Sequence, residues 1–373
     1  ARTPYAAGQR WPSRVDTYLS GNLTPAEVDS WVQSASILHS NGDALDIAVK
    51  DGAIVGVRGR EVDRVNHGRL GPKDLFGWQA NASADRLTTP LIRVDGELVE
   101  TDWDTAMNRI TSRSRELLDE QGPSAIGFYT SGQLFLEEYY TLGVIAHGAI
   151  GTNHVDGNTR LGTATAAEAL KESFGCDGQP GSYTDVDHAD VIALFGHNVA
   201  ETQTVLWSRI LDRLDGEDPP QILCVDPRPT PVAARATVHL APIPGTNVAL
   251  MNGLLHEIIA RGWIDRDYID AHSVGFDELR LLVADYPPEK VAQICGIDTD
   301  DLRAAARLLG TATKLLSTVL QGFYQSHQAT AAAVQVNNLH IIRGMLGKPG
   351  CGLLQMNGQP TAENTRECGA DGD

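Results

Sequence analysis

The sequence predicts an α/β protein, with doubly wound domains behind a small β-rich N-terminal cap. Three observations carry this. From about residue 100, apolar runs of strand length alternate with helical segments, the pattern of a mostly parallel sheet covered by helices. The runs at 189–196, 222–226 and 315–320 are mostly apolar rather than alternating, as strands buried on both faces are. Before residue 70 the texture differs: residues 45–58 alternate about Asp51-Gly52, which is a β-hairpin signal.

In chain order, 1–35 is polar and irregular, with a short helix expected after Thr24-Pro25-Ala26-Glu27. The hairpin follows. Thr101 or Asp102 can cap a helix running to about 120. Residues 125–129 form a strand, 134–150 a helix, and 163–174 an Ala-rich helix. The apolar run 189–196 is a strand ending in Gly196, followed by a helix over 202–214 and a strand at 222–226. Helices are expected at 248–261 and 301–309, and a strand at 315–320. A long helix over 327–345 stops at Gly347 and Pro349. The expected division is a cap at 1–75, a discontinuous Rossmann-like α/β domain from 76–150 and 313–373, and an α/β nucleotide-binding domain at 151–312.

A chain of 373 residues buries a large core in two or three domains. Thirty basic against 48 acidic residues give a net charge of −18, which disfavours nucleic acid and anionic membrane surfaces. No apolar run reaches the ~20 residues of a membrane span. The first residues show neither a leader's apolar segment nor a twin arginine, so the expected compartment is the cytoplasm. The five cysteines are scattered with no C-x-x-C pair and read as structural thiols.

In doubly wound sheets, ligands lie beyond the carboxyl ends of strands. Three such ends are rich here. Gly196-His197-Asn198-Val199-Ala200-Glu201 could present paired donors and acceptors to a flat heterocycle, or serve as a helix cap. Asp226-Pro227-Arg228 could take a ribose diol and a phosphate, or form an ion pair in a stiffened turn. Pro244-Gly245-Thr246-Asn247 precedes a helix whose N-terminus suits phosphate. No G-x-G-x-x-G follows a strand, which argues against an NAD(P) dehydrogenase.

A metal frame stands without its usual ligands. Ser36, His39, Asp43 and Gly71 fall at the spacing C-x2-C-x3-C … C-P-K, a four-thiolate iron–sulfur frame. Three hard ligands and one vacancy do not suit a thiophilic cluster, so [4Fe-4S] is not expected. The trio could bind zinc, or the loop is simply polar and solvated.

Taken in register, these motifs resemble the molybdopterin oxidoreductases of the dimethyl-sulfoxide-reductase superfamily. Further anchors are Val49-Lys50-Asp51 with Asn66-His67-Gly68, Gly151 through Gly162, Gln321-Gly322, Asn337-Asn338-Leu339, and Asn357-Gly358-Gln359-Pro360 with Arg366-Glu367. That tail looks most like assimilatory nitrate reductases.

The resemblance implies a bis-molybdopterin guanine dinucleotide cofactor with molybdenum. Gly196, Asn198 and Glu201 would lie near a pyranopterin or its pyrophosphate. Asp226, with Thr246 and Asn247, would hold the guanosine, and Arg228 would face phosphate. Family members usually carry Asp where this chain has Asn247. Gln133 and Gln325 would line the central pocket. Lys73 would stand where the family bridges cluster and pterin, and Asn158 and Asn357 fall in cofactor-facing motifs. In Asn158-Thr159-Arg160-Leu161-Gly162, Gly162 occupies the position of the usual molybdenum thiolate, beside Arg160. The metal would then have no protein ligand, or the site would no longer do redox chemistry. Thr163 stands where formate dehydrogenases carry His. The expected activity is oxygen-atom transfer with a small anion such as nitrate, served by an external electron donor protein, with neither nucleic acid nor membrane as partner. The resemblance also implies a C-terminal β-barrel domain that completes the cofactor's cradle, so the expectation is that the chain is a fragment, or that the rest is a separate chain, or that a full cofactor is not enclosed. The alternative is a non-catalytic relative without cluster or molybdenum, for which the large peripheral subunit of respiratory NADH dehydrogenase is a precedent.

Overall fold

The structure is a computed structural model that describes residues 14–36, 38, 42–357 and 359; the side chains of 159–163 lie outside the description. The cap is a four-stranded antiparallel sheet of β1 (Thr17–Leu19), β2 (Ser30–Ala35), β3 (Ala44–Lys50) and β4 (Ala53–Gly59), in the order β1-β4-β3-β2. The predicted hairpin is β3–β4. Its turn residues Asp51 and Gly52 have φ of 50° and 75°, the paired positive values that match a two-residue turn to strand twist. The expected helix after Thr24 is a single 3-10 turn, Pro25–Glu27, whose Glu27 carboxylate accepts from Thr24 N at 2.8 Å. Helix α1 (Pro72–Gly77) leaves the cap.

Next come a hairpin of β5 (Leu91–Val94) and β6 (Glu97–Glu100), then α2 (Trp103–Gln121). Asp102 caps α2 by accepting from Thr105 N at 2.7 Å. The strand expected at 125–129 starts later, because Pro123–Ala125 forms a 3-10 turn. It is β7 (Phe128–Thr130), followed by α3 (Leu136–Gly143), a π-helical continuation to Ile150, and β8 (Val155–Gly157) parallel to β7. Helix α4 spans Thr159–Phe174, beginning four residues before the expected start.

The main sheet is built from β9 (Val191–Phe195), β10 (Gln221–Val225), β11 (Val238–Leu240), β12 (Leu315–Val319) and β13 (Gly352–Gln355), in the order β11-β10-β9-β12-β13. Every neighbouring pair is parallel. All residues of β9 and β12 are buried, and these strands form the centre of the largest hydrophobic core. β12 and β13 therefore hydrogen-bond to the sheet of residues 191–240, whereas the sequence grouped 313–373 with 76–150.

The helix expected over 202–214 is two pieces, α5 (Val199–Thr202) and α6 (Thr204–Leu214), separated at Gln203. After β11 come α7 (Asn247–Ala260) and then α8 (Arg266–His272), α9 (Phe276–Val283) and α10 (Pro288–Cys295), the last three unanticipated. They are followed by α11 (Thr299–Thr311), the short α12 (Gln321–Tyr324), and α13 (Ala329–Ile342). No helix of the described residues is long and apolar enough to cross a membrane.

Candidate nucleotide-binding cavity at the strand ends

Chain order reverses direction at β9: β10 follows on one side, while β12 pairs on the other. Such a switch point leaves a crevice beyond the strands' carboxyl ends. Its floor is backbone. A Cβ at Gly196 would lie 2.7 Å from Gly322 C and Cα, and one at Gly322 would lie 2.5 Å from Gly196 Cα. Only glycines allow this approach, and Gly196 also has φ of 59°. Gly322 N donates to Gly196 O at 3.0 Å.

Above this floor is a cavity of ≈ 350 Å³, within the size range of small-molecule sites. Of the predicted residues, it brings together Gly196, Asn198, Asp226, Arg228 and Asn247. Asn198 is 7 % exposed. Its Oδ1 and Nδ2 are both buried without a hydrogen-bond partner among the described residues. A buried amide left unpaired costs about 1–3 kcal/mol, which a bound group that paired it would recover.

Asp226 is buried at the end of β10. Arg228 donates to it from Nε at 3.2 Å and from its backbone N at 2.9 Å. That bond, and then the charge of Asp226, push the Arg228 guanidinium pKa up. Asn247, the first residue of α7, donates from Nδ2 to Gly322 O at 2.9 Å and to Ser326 Oγ at 3.2 Å. An Asp in its place could donate neither bond.

The loop after β9 is held by a network that the sequence did not disclose. His197 is 1 % exposed. Its Nε2 lies 2.7 Å from Gln203 Oε1, and its Nδ1 lies 2.7 Å from Thr318 Oγ1. Gln203 Nε2 donates to Asn357 O at 2.9 Å, which fixes Oε1 as the acceptor toward the ring. Nε2 of a neutral His197 therefore carries the proton. Burial lowers the His197 pKa to about 4.

Other predicted residues lie elsewhere. Glu201, Asn158, Lys73 and Gln325 are exposed and do not line this cavity. Gln133 is half-buried and donates from Nε2 to Leu38 O at 3.3 Å. Thr246 caps its own turn, donating to Ile243 O at 2.7 Å. Asn357 contributes a backbone carbonyl to the His197 network. The side chains of Arg160 and Gly162, and all of His39, lie outside the described residues. Thr202, Pro242, Gln321 and Phe323 line the cavity and were not singled out as site residues. Gln321 and Gly322 could have been, since they follow an apolar strand as Gly196 does.

The four-thiolate frame does not fit this chain. Gly71 offers no ligand atom, and a Cβ there would fall 2.1 Å from Thr204 Oγ1. Among the described residues, no group of three or more His, Cys, Asp or Glu could hold a metal. Cys224, Cys295 and Cys351 are buried, and burial pushes the Cys224 thiol up to about 12, as expected of structural thiols.

A family model described as molybdopterin oxidoreductase matches residues 86–370. A nitrate reductase of Symbiobacterium thermophilum is 35% identical over 343 residues, covering 89% of this chain and 46% of that protein. The F420-dependent formate dehydrogenase subunit alpha of Methanocaldococcus jannaschii is 32% identical over 329 residues, covering 88% of this chain and 48% of that one. The solved acetylene hydratase from Pelobacter acetylenicus superposes with a TM-score of 0.73 at 21% identity, over 86% of this chain and 44% of that chain; at that identity it shows the fold alone. The chain spans about half the length of the curated relatives it matches.

Proposed function

The chain belongs to the molybdopterin oxidoreductase family, and on that premise we propose that its cavity holds the guanosine end of a bis-molybdopterin guanine dinucleotide, in an enzyme of nitrate-reductase type. When bound, that group supplies a molybdenum centre able to exchange an oxygen atom with a small anion such as nitrate. The observation that carries the reading is Asn198, a buried amide with neither end paired among the described residues, at a cavity built on two glycines.

The residues of the cavity suit a nucleotide. Asn198 offers a donor and an acceptor to a planar ring edge. Asp226 accepts from ribose hydroxyls, which releases Arg228 toward phosphate. The N-terminus of the 14-residue α7 adds backbone N–H groups and a positive dipole end. His197, neutral and bonded on both ring nitrogens, keeps the loop in place without adding charge beside the ligand.

At the metal end, Gly162 would leave a bound molybdenum without a protein thiolate. Arg160, Gln133, Lys73 and Gln325 are proposed to face the pterin and substrate, with electrons delivered by a separate donor protein. Thr163, rather than His, after Gly162 supports nitrate over formate as substrate, although relatives named for each are similar to this chain.

Metal and pterin analysis of the purified protein tests this. Near-stoichiometric molybdenum and released guanine nucleotide are expected. Their absence, from cells that load other molybdoenzymes, would sink the reading.

A further inference from the structure

The cavity holds two amides in different states. Asn247 is pinned: its Nδ2 donates to Gly322 O at 2.9 Å and to Ser326 Oγ at 3.2 Å. Both amide hydrogens are thus engaged, and Oδ1 remains as a single neutral acceptor. Asn198 is not pinned. Neither of its amide atoms has a partner among the described residues, so a half-turn about χ2 exchanges donor and acceptor without breaking any protein hydrogen bond.

We propose that this pair makes the cavity degenerate between purine bases, and that Asn247 is the residue that sets this selectivity. The inference rests on reading the cavity as the nucleotide end of a cofactor. Guanine presents two adjacent donors, N1–H and the 2-amino group, which a carboxylate accepts together in charge-assisted bonds. Adenine presents one exocyclic amine beside ring acceptors, an edge that an amide reads bidentately. A lone neutral acceptor at Asn247 takes an exocyclic amine from either base. Asn198 turns to match whichever neighbouring group that base presents. Asp226 does not restore the choice, because with a nucleotide bound its carboxylate is taken up by the ribose hydroxyls.

The test is equilibrium binding of GDP, ADP and UDP to the full chain, purified from cells unable to make the pterin. GDP and ADP are expected to bind within about threefold of each other, and UDP, whose base has no exocyclic amine, at least about tenfold more weakly. Asn247→Asp is expected to raise the preference for GDP over ADP by about tenfold. If that variant does not fold, the ratio in the unaltered chain decides alone. A preference for either purine beyond about threefold in the unaltered chain overturns the inference. So does UDP binding less than about tenfold more weakly than ADP, or a folded Asn247→Asp chain with an unchanged ratio. A folded chain that binds none of the three would sink the nucleotide-end reading itself, a result distinct from lost discrimination.

Discussion

His197 and Thr318 stand on adjacent parallel strand ends, 2.7 Å apart from Nδ1 to Oγ1, although 121 residues separate them in the chain. Burial disfavours the charged form of this imidazole. Burial lowers its pKa, and that of His340 in the same core, to about 4. The ordinary value is near 6.5, so the unfolded chain takes up these protons first. The stabilisation is full above pH 6.5 and is lost as pH falls toward 4, on the order of 3 kcal/mol for each group. Urea unfolding between pH 4 and 7.5 should show this decline, and His197→Gln should flatten it. An identical slope in the variant would refute the assignment.

Gly196 and Gly322 meet backbone to backbone, so no neighbour can move aside for a methyl group. Gly196→Ala is expected to cost about 3 kcal/mol or more, from overlap and from a positive φ together. Thermal unfolding measures it. A shift of only a degree or two would mean that the two strand ends are not in contact.

Asn198→Leu separates stability from binding. It replaces an unpaired buried amide with an apolar group of similar size, which is neutral or stabilising for the fold. The variant should therefore melt at or above the temperature of the unaltered chain and yet retain no nucleotide. A variant that melts lower and still binds would show that Asn198 serves the fold.

Arg69 fastens the cap to the α/β body. It is 1 % exposed and donates to Asp212 Oδ2 on α6 at 2.8 Å from one NH2 group and at 3.1 Å from Nε. Arg69→Met leaves that carboxylate, itself 20% exposed, without this partner, at an expected cost of about 1–2 kcal/mol. It should also speed proteolysis between residues 60 and 72. Unchanged cleavage would place the docking energy elsewhere.

At Gly71, Thr204 fills the place a side chain would need. Gly71→Ala is expected to cost about 1 kcal/mol, and less than half of that when combined with Thr204→Ala. Strictly additive losses, read by denaturant melts of the two single variants and the double, would show that the two residues do not share space.

Much of this was legible in the sequence for a local reason. The β3–β4 hairpin, the Asp102 cap and the largely apolar strands β9, β10 and β12 each carry their signal within a few residues. Three of the cavity residues, Asn198, Asp226 and Asn247, follow from one rule about strand ends. The short α8–α10 span only seven or eight residues each, fewer than the window in which a helical period stands out. Strand β13, with Gly352 at its start, reads as a loop until β12 supplies a partner. The break at Gln203 was invisible because its cause is tertiary: the side chain leaves the helix to bridge His197 and Asn357, 154 residues onward. The 3-10 turn at Pro123–Ala125 displaced a strand whose residues were otherwise suitable.

The Gln203–Asn357 bond also sets an order of events during synthesis. The loop after β9 leaves the ribosome early, but the carbonyl that fixes it lies just past the last strand of the sheet. Until residue 357 has emerged, Gln203 lacks that anchor and His197 lacks a fixed acceptor. A nascent chain therefore carries the nucleotide-facing residues without the frame that holds them still, and the cavity matures only after β13 has docked.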